Sequence, residues 1–142
     1  TTEGGLDLAA TEFRLTPAIE KLKEAGIKTS LFIEPIPDNV DQSLEYGADM
    51  IEIHTGKYAR LTEPAEVLAE LEKIRQTASI AKELGIGVNA GHGLNYHNIT
   101  AIANMQDIDE VSIGHSIIAR AVFTGLDTAV KDMLSIIRRI RQ

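Results

Sequence analysis

The sequence predicts an α/β fold, the C-terminal half of a TIM (β/α)8 barrel, and three observations support this prediction. Short apolar or β-branched runs alternate with longer segments that have helical spacing. Glycine or proline stands at most of the boundaries between them. The chain has 142 residues, whereas a complete barrel takes about 250. It is therefore long enough for about half of a barrel.

The first part of the chain predicts a loop, a helix and a strand. The opening TTEGGLD is typical of a strand-to-helix loop whose strand lies upstream. A helix is predicted over 17–25, because Pro17 suits a first helical turn and Gly26 suits the position after a last turn. The β-branched and apolar run KTSLFIE, 28–34, then predicts a strand.

The middle of the chain repeats this alternation. Helical spacing predicts a helix over 38–46, and Gly47 ends it. DMIEIHT, 49–55, is the second predicted strand. A longer helix is predicted over 64–84, because it begins with a proline and is followed by Gly85.

The last part contains two further strands. GIGVNAGH at 85–92 and DEVSIGH at 109–115 are apolar runs that end in a glycine and a histidine. Helical spacing predicts helices over 97–105 and 127–141, and the segment 112–125 joins the fourth strand to a short helix.

Strands that alternate with helices pair in parallel through right-handed crossovers. Residues 1–142 are therefore expected to form a single partial domain, the C-terminal part of a β/α barrel from which the upstream half is absent. An open sheet of the flavodoxin type also fits this length. Such a sheet should begin with a strand near residue 1, and none is visible there.

Composition narrows the possible partners. With 14 Lys and Arg against 21 Asp and Glu, the net charge is −7, which disfavours binding to nucleic acid or to anionic membranes. No apolar run approaches the roughly 20 residues of a membrane helix. The absence of cysteine excludes disulfides and thiolate metal sites and favours a reducing compartment. We therefore expect a cytoplasmic protein.

Chemically useful side chains stand at the carboxyl ends of the predicted strands. Three of the four histidines, His54, His92 and His115, lie there, and His97 opens the next predicted helix. Glu34 is the last residue of the first predicted strand. Because the carboxyl ends of parallel strands form the active-site edge of β/α folds, this edge is the predicted site.

His92 stands between two glycines in VNAGHGLNYHN. Glycine permits positive φ and close approach of a ligand to the backbone, so a histidine at this place would be presented at the edge of the sheet. The alternative is a turn that contains an incidental polar residue. The position at a strand end favours a functional role. For His97 a structural role in the turn is the favoured interpretation.

Glu52 lies between Ile51 and Ile53 in the second predicted strand. Side chains alternate along a strand, so if both isoleucines pack against helices, Glu52 points into the barrel. A carboxylate there is costly unless it is paired or used in chemistry. A buried ion pair without chemistry is the alternative.

Gly114 and His115 precede the short helix of SIGHSIIARAVFTG. A helix start offers unpaired backbone N–H groups and a positive dipole end, and both favour a phosphate. In β/α barrels the loops after the last strands and a short extra helix often bind phosphate. A plain glycine turn is the alternative. Motifs for other ligands are incomplete, because TEGGLD lacks the lysine of a P-loop and GHGLNYHN lacks the HExxH spacing of a zinc helix.

Several motifs together resemble one known family. TTEGGLD, TSLFIE, IEIHTGKYA, VNAGHGLNYHN and SIGHSIIARAVFTGL, in this order, closely resemble the C-terminal part of the pyridoxine 5′-phosphate synthases of deoxyxylulose-dependent vitamin B6 biosynthesis. The resemblance covers essentially the whole chain. It implies a β/α barrel in a homo-octamer that condenses 1-deoxy-D-xylulose 5-phosphate with 3-amino-2-oxopropyl phosphate. The products are pyridoxine 5′-phosphate, phosphate and water, and neither metal nor cofactor is used.

The resemblance also implies roles for individual residues. His92 matches the proton-donating histidine of the family, and Glu52 matches its catalytic glutamate. Gly93, Gly114 and His115 match residues that hold 3-amino-2-oxopropyl phosphate. Thr1 matches a threonine that contacts deoxyxylulose phosphate.

One departure from the family is large. Its N-terminal half carries a histidine and a glutamate that act as bases, and no residue of this chain replaces them. The chain is therefore expected to hold part of an active site and to be inactive alone. The alternative is a non-catalytic half-barrel fragment that binds phosphate.

Overall fold

The computed structural model describes residues 4–140, apart from the side chain of Glu12. Each strand along these residues is followed by one or two helices. The strands are β1 Ser30–Ile33, β2 Met50–His54, β3 Gly87–Gly91 and β4 Glu110–Ser112. The helices are α1 Leu8–Glu24, α2 Pro37–Glu45, α3 Gly56–Arg60, α4 Pro64–Glu83, α5 Ile99–Ala103, α6 His115–Thr124 and α7 Leu126–Ile140.

The four strands form one parallel sheet in the order β1-β2-β3-β4. This confirms the predicted α/β class with parallel pairing. The sheet is open, with β1 and β4 at its edges in the described part of the chain. One row of the register aligns Phe32, Glu52, Asn89 and Glu110 across all four strands.

The two faces of the sheet differ in burial. Ile33, Ile51, Ile53, Val88 and Ala90 are fully buried in a core shared with the helices. The alternating positions form an open face, which we define by Phe32, Glu52, His54, Asn89 and Ser112. Apart from His54, these residues are partly or fully exposed. The prediction that Glu52 points away from the helix-packed face is therefore confirmed.

Two predicted helix starts are wrong. Helix α1 begins at Leu8 and holds Pro17 in its interior, because Asp7 caps it: Asp7 Oδ1 accepts a 3.0 Å hydrogen bond from the N–H of Ala10. Helix α5 begins at Ile99 rather than at His97. The Asn95 side chain instead folds the preceding segment into a turn, because its Oδ1 accepts the N–H of His97 at 2.8 Å.

The predicted helix ends are confirmed at three glycines. Gly26, Gly47 and Gly85 have φ values of 72°, 83° and 77°, the left-handed conformation that glycine adopts after a last helical turn. Helix α3 was not predicted, because five residues are too few to show helical spacing. Between residues 4 and 140 no helix is both long enough and apolar enough to cross a membrane.

Candidate active site

A cleft of about 360 Å³ opens at the carboxyl ends of β3 and β4. Its lining residues are His92, Gly93, Leu94, Ser112, Ile113, Gly114 and His115. Four residues predicted from the sequence, 92, 93, 114 and 115, therefore line one cavity although more than 20 positions separate the two pairs. Parallel pairing of β3 with β4 brings them together, since it places both strand ends at one edge.

Glu52 lies beside this cleft on the open face. Ser112, which lines the cleft, donates a hydrogen bond from Oγ to Glu52 Oε2 at 3.2 Å. The other carboxylate oxygen, Oε1, lies against Gly91, and a Cβ at position 91 would overlap with it. The carboxylate is partly exposed and accepts this neutral hydrogen bond. It is therefore placed to face a cationic or hydrogen-bonding group in the cleft.

His92 has an unusual backbone conformation. Its φ is 80°, a value that residues other than glycine rarely adopt, and its side chain is exposed. The buried Thr55 holds this conformation, because its Oγ1 lies 2.7 Å from the carbonyl oxygens of both Gly91 and His92. Strained backbone of this kind persists where surrounding contacts fix it, and it is frequent at functional sites.

Gly93 continues the turn with φ 74°. A Cβ at this position would lie 2.6 Å from Cβ of Ala59, closer than two carbon atoms can pack. The backbone of this turn therefore packs directly on helix α3. Glycine is required here both for its conformation and for this close approach.

Gly114 and His115 form the start of α6. The first hydrogen bond of the helix runs from the N–H of Ile118 to the carbonyl oxygen of Gly114 at 3.0 Å, so the N–H groups of residues 115–117 have no acceptor within the helix. Ser116 Oγ donates to the carbonyl oxygen of Leu94 at 2.8 Å and fixes this helix end against the turn after β3. These N–H groups and the positive helix end make the cleft suitable for an anion.

Glu34 and His54 extend the site toward β1. The sequence places both at strand ends but assigns neither a role. In the structure, Glu34 Oε1 lies 2.8 Å from His54 Nδ1 and accepts the N–H of Gly5 at 2.8 Å. The His54 ring is buried, and its centroid lies 5.0 Å from that of His92. Sequence reasoning also missed Thr55 and Ser112, although strand alternation could have placed Ser112 on the same face as Glu52.

The remaining predicted residues lie outside this arrangement. Thr1 is outside the described residues. His97 is exposed and does not line the cleft. Among residues 4–140, no group of three histidine, aspartate or glutamate side chains is arranged to hold a metal ion.

Clear pKa shifts occur away from the cleft. The hydrogen bond from the backbone N–H of Thr29 lowers the pKa of Asp49 at the opposite end of the sheet. The pKa of Lys57 is raised by its hydrogen bond to the buried carboxylate of Glu70, at 2.8 Å. Burial raises the pKa of Tyr58, whose hydroxyl donates to the carbonyl oxygen of Asn98. None of these three groups lines the cleft.

The fold and the cleft define an α/β protein with a histidine-lined cleft at the carboxyl edge of a parallel sheet. Comparison with known proteins identifies the family. The family model described as "Pyridoxal phosphate biosynthesis protein PdxJ" matches residues 1–139. The chain belongs to this family.

Similar curated proteins carry the name pyridoxine 5′-phosphate synthase. The protein of Chloroherpeton thalassium is 49% identical over 138 residues, and that of Geobacter sulfurreducens is 51% identical over the same length. A protein of Chlorobium phaeobacteroides is 51% identical. Each match covers 97% of this chain and 58% of the relative, so the chain spans little more than half the length of these proteins.

One solved structure has a similar fold. It is described as the crystal structure of the Amycolatopsis orientalis BexX/CysO complex, with a TM-score of 0.52 and 16% sequence identity. The similarity covers 93% of this chain and 52% of the matched chain. At this identity the likeness concerns the fold alone.

Proposed function

We propose that a full-length protein containing this chain is a pyridoxine 5′-phosphate synthase. It condenses 1-deoxy-D-xylulose 5-phosphate with 3-amino-2-oxopropyl phosphate and releases pyridoxine 5′-phosphate, phosphate and water. One observation carries the proposal: the residues that match the proton donor and the phosphate-binding residues of the family line a single cleft. The relatives of that name, about 50% identical over 97% of the chain, support the same reaction.

The scaffold of the proposed enzyme is a TIM barrel, of which this chain forms the C-terminal half as a single partial domain. The sheet supports this, because its strands follow chain order, whereas a flavodoxin-type sheet has the order 2-1-3-4-5. The open face, with Glu52 and Asn89, corresponds to a barrel interior. The N–H of Leu6 bonds to the carbonyl oxygen of Phe32 at 2.7 Å, so the segment before α1 runs along β1. A strand upstream of it would extend the sheet there.

His92 acts as a proton donor in this proposal. Formation of the pyridine ring needs a Schiff base between amine and ketone, and then loss of water and phosphate. The exposed imidazole at the mouth of the cleft is positioned to protonate a departing hydroxyl group. The two flanking glycines let the turn pack closely against Glu52 and Ala59, which holds the imidazole at this place.

Glu52 and the start of α6 stabilise the charges of the substrates. The carboxylate of Glu52 stabilises cationic iminium character or relays a proton. Gly93, Gly114 and His115 hold the phosphate of 3-amino-2-oxopropyl phosphate, with the free N–H groups at the helix start as donors. Thr1 contacts deoxyxylulose phosphate.

The full-length protein is further proposed to be a cytoplasmic homo-octamer that needs neither metal nor cofactor and binds neither nucleic acid nor membrane. The net charge of −7 supports the absence of nucleic-acid and membrane partners. Exposed apolar side chains on α6 support association between copies, since Val122 and Phe123 are 77% and 90% exposed.

The test measures pyridoxine 5′-phosphate formation from the two substrates by the full-length protein and by residues 1–142 alone. We expect product from the full-length protein only, because the family supplies two bases from its other half. Sedimentation of the short chain should show association, because in the described part of the chain β4 lies at a sheet edge and the open face is partly exposed. Phosphate binding by a full-length protein that makes no product would favour the non-catalytic phosphate-binding alternative. A stable monomeric short chain that makes the pyridine ring would contradict the half-barrel assignment.

A further inference from the structure

His54 is a buried histidine with one ring nitrogen paired and one unpaired. Its side chain is 3% exposed, and Nδ1 lies 2.8 Å from Glu34 Oε1. An ionised carboxylate can only accept a hydrogen bond, so Nδ1 carries the hydrogen. In the neutral ring, Nε2 then holds a lone pair and is an acceptor.

Nε2 of His54 is buried and has no hydrogen-bond partner among the described residues. Burying a polar atom without a hydrogen-bond partner costs free energy, so such an atom indicates a functional role or a missing partner. The ring that lies beside Nε2 is that of His92. A Cβ at Gly56 would overlap with Nε2 of His54 and would lie 2.6 Å from Cδ2 of His92. Gly56 thus leaves the space in which the two rings meet.

The residue after His54 also holds the backbone of His92 in place. Thr55 bonds through both its N–H and its hydroxyl to the carbonyl oxygen of Gly91, and the hydroxyl also contacts the carbonyl oxygen of His92. His54 therefore lies beside the His92 ring, and Thr55 bonds to the His92 backbone. Gly56 leaves room between the two rings. The His92 side chain is exposed, so its ring has room to turn toward Nε2.

We propose that His54 is a positioning residue for His92, an inference that rests on the proposed function. Glu34 fixes the tautomer of His54, and Nε2 accepts a hydrogen bond from one N–H of the His92 ring. The other nitrogen of His92 then faces the cleft and holds the proton that the substrate receives. This hydrogen bond orients the His92 ring and also gives the buried Nε2 of His54 a partner.

The kinetic test uses the full-length protein and four variants. His54→Gln and Glu34→Gln should lower kcat roughly 10- to 100-fold, a part of the 10²–10⁴-fold that general acid catalysis contributes, with little change in KM. A glutamine at position 34 can accept from Nδ1 or donate to it, so Glu34→Gln no longer fixes the tautomer of His54. Glu34→Asp keeps the carboxylate and should recover part of kcat. The matched control is His97→Gln, an exposed histidine outside the cleft, which should leave kcat unchanged.

A second readout does not depend on turnover. In protein labelled with ¹⁵N-histidine, NMR should show His54 with its hydrogen on Nδ1, and the ring nitrogens of His92 should shift in His54→Gln but not in His97→Gln. The inference would be overturned if the hydrogen of the His54 ring were on Nε2. It would also be overturned if the His92 signals were the same in wild type and in His54→Gln. Wild-type kcat in His54→Gln would overturn it as well. A wild-type protein without synthase activity would instead overturn the proposed function, and the NMR result would still decide how His54 and His92 interact.

Discussion

The carboxylate of Glu52 lies directly against the backbone of Gly91 on the neighbouring strand. The register pairs Glu52 with Asn89 and His54 with Gly91, so the Glu52 side chain reaches along the open face toward the strand end. A Cβ at Gly91 would overlap with Oε1 of Glu52 and would lie 3.0 Å from Cβ of Ser112. Absence of a side chain at position 91 therefore sets the location of the proposed catalytic carboxylate.

Gly91→Ala is expected to displace Glu52 and lower kcat at least about tenfold, because the new methyl group takes the space of the carboxylate. Overpacking of this kind also costs about 1–3 kcal/mol of unfolding free energy. The matched control is Gly87→Ala in the same strand, where the nearest atom is Cγ of the flexible Met50 at 3.1 Å. Steady-state kinetics and urea unfolding of both variants test this. Equal kcat in the two variants would contradict the role of position 91.

Glu52→Gln is expected to keep the fold and lose turnover. The amide has nearly the same volume and can still accept the hydrogen bond from Ser112, but it carries no charge. Loss of one electrostatic stabiliser costs about 10²–10³ in kcat. Kinetics should be measured beside Glu72→Gln, an exposed glutamate on α4, as the control. If Glu52→Gln unfolds while its folded fraction keeps wild-type activity, the carboxylate has a structural role only.

Gly114→Ala should weaken phosphate binding without a change in stability. A Cβ at this position meets no atom within 4 Å, and its φ of −115° is accessible to alanine, so the fold should accept the substitution. The methyl group would add bulk at the residue that begins the proposed phosphate site. Calorimetric titration of the full-length protein with 3-amino-2-oxopropyl phosphate should show roughly tenfold weaker binding, about 1.4 kcal/mol. Unchanged affinity would place the phosphate elsewhere.

Asp49 should make the stability of the fold depend on pH. The hydrogen bond from the N–H of Thr29, at 2.8 Å, holds the pKa of Asp49 below its ordinary value of 3.8. A carboxyl group with a lowered pKa in the folded state stabilises the fold above its unfolded pKa, and this contribution is lost as the pH falls through the folded pKa.

The comparison of wild type with Asp49→Asn isolates this contribution. The difference in urea unfolding midpoint should be largest near neutral pH and should shrink below about pH 3.8. Other carboxyl groups are common to both proteins and largely cancel in the difference. A gap that stays constant over the whole pH range would show that the ionised carboxylate does not contribute.

The strands and the orientation of Glu52 could be predicted from sequence because both depend on local patterns. β-branched runs mark β1 and β2, and strand alternation assigns Glu52 to the face opposite Ile51 and Ile53. The start of α1 could not be predicted in this way. Proline prefers a first helical turn only on average, and the Asp7 cap places Pro17 inside the helix.

The contacts between strands could not be predicted from sequence. The pair Glu34–His54 spans 20 positions, and the bond from Thr55 to the carbonyl oxygen of Gly91 spans 36. Such contacts depend on the register between neighbouring strands, which no local pattern specifies. Strand ends therefore indicated where the site lies, but not which side chains support His92.

The turnover of the full-length protein after His92→Asn tests the central claim most directly. A proton donor acts mainly in the transition state, so kcat for pyridoxine 5′-phosphate formation should fall about 10²–10⁴-fold while the affinity for both phosphate substrates changes little. Asparagine tolerates positive φ better than most residues, so the turn at φ 80° should be kept. A variant with wild-type kcat would remove His92 from the mechanism and contradict the assignment of this cleft as the catalytic site.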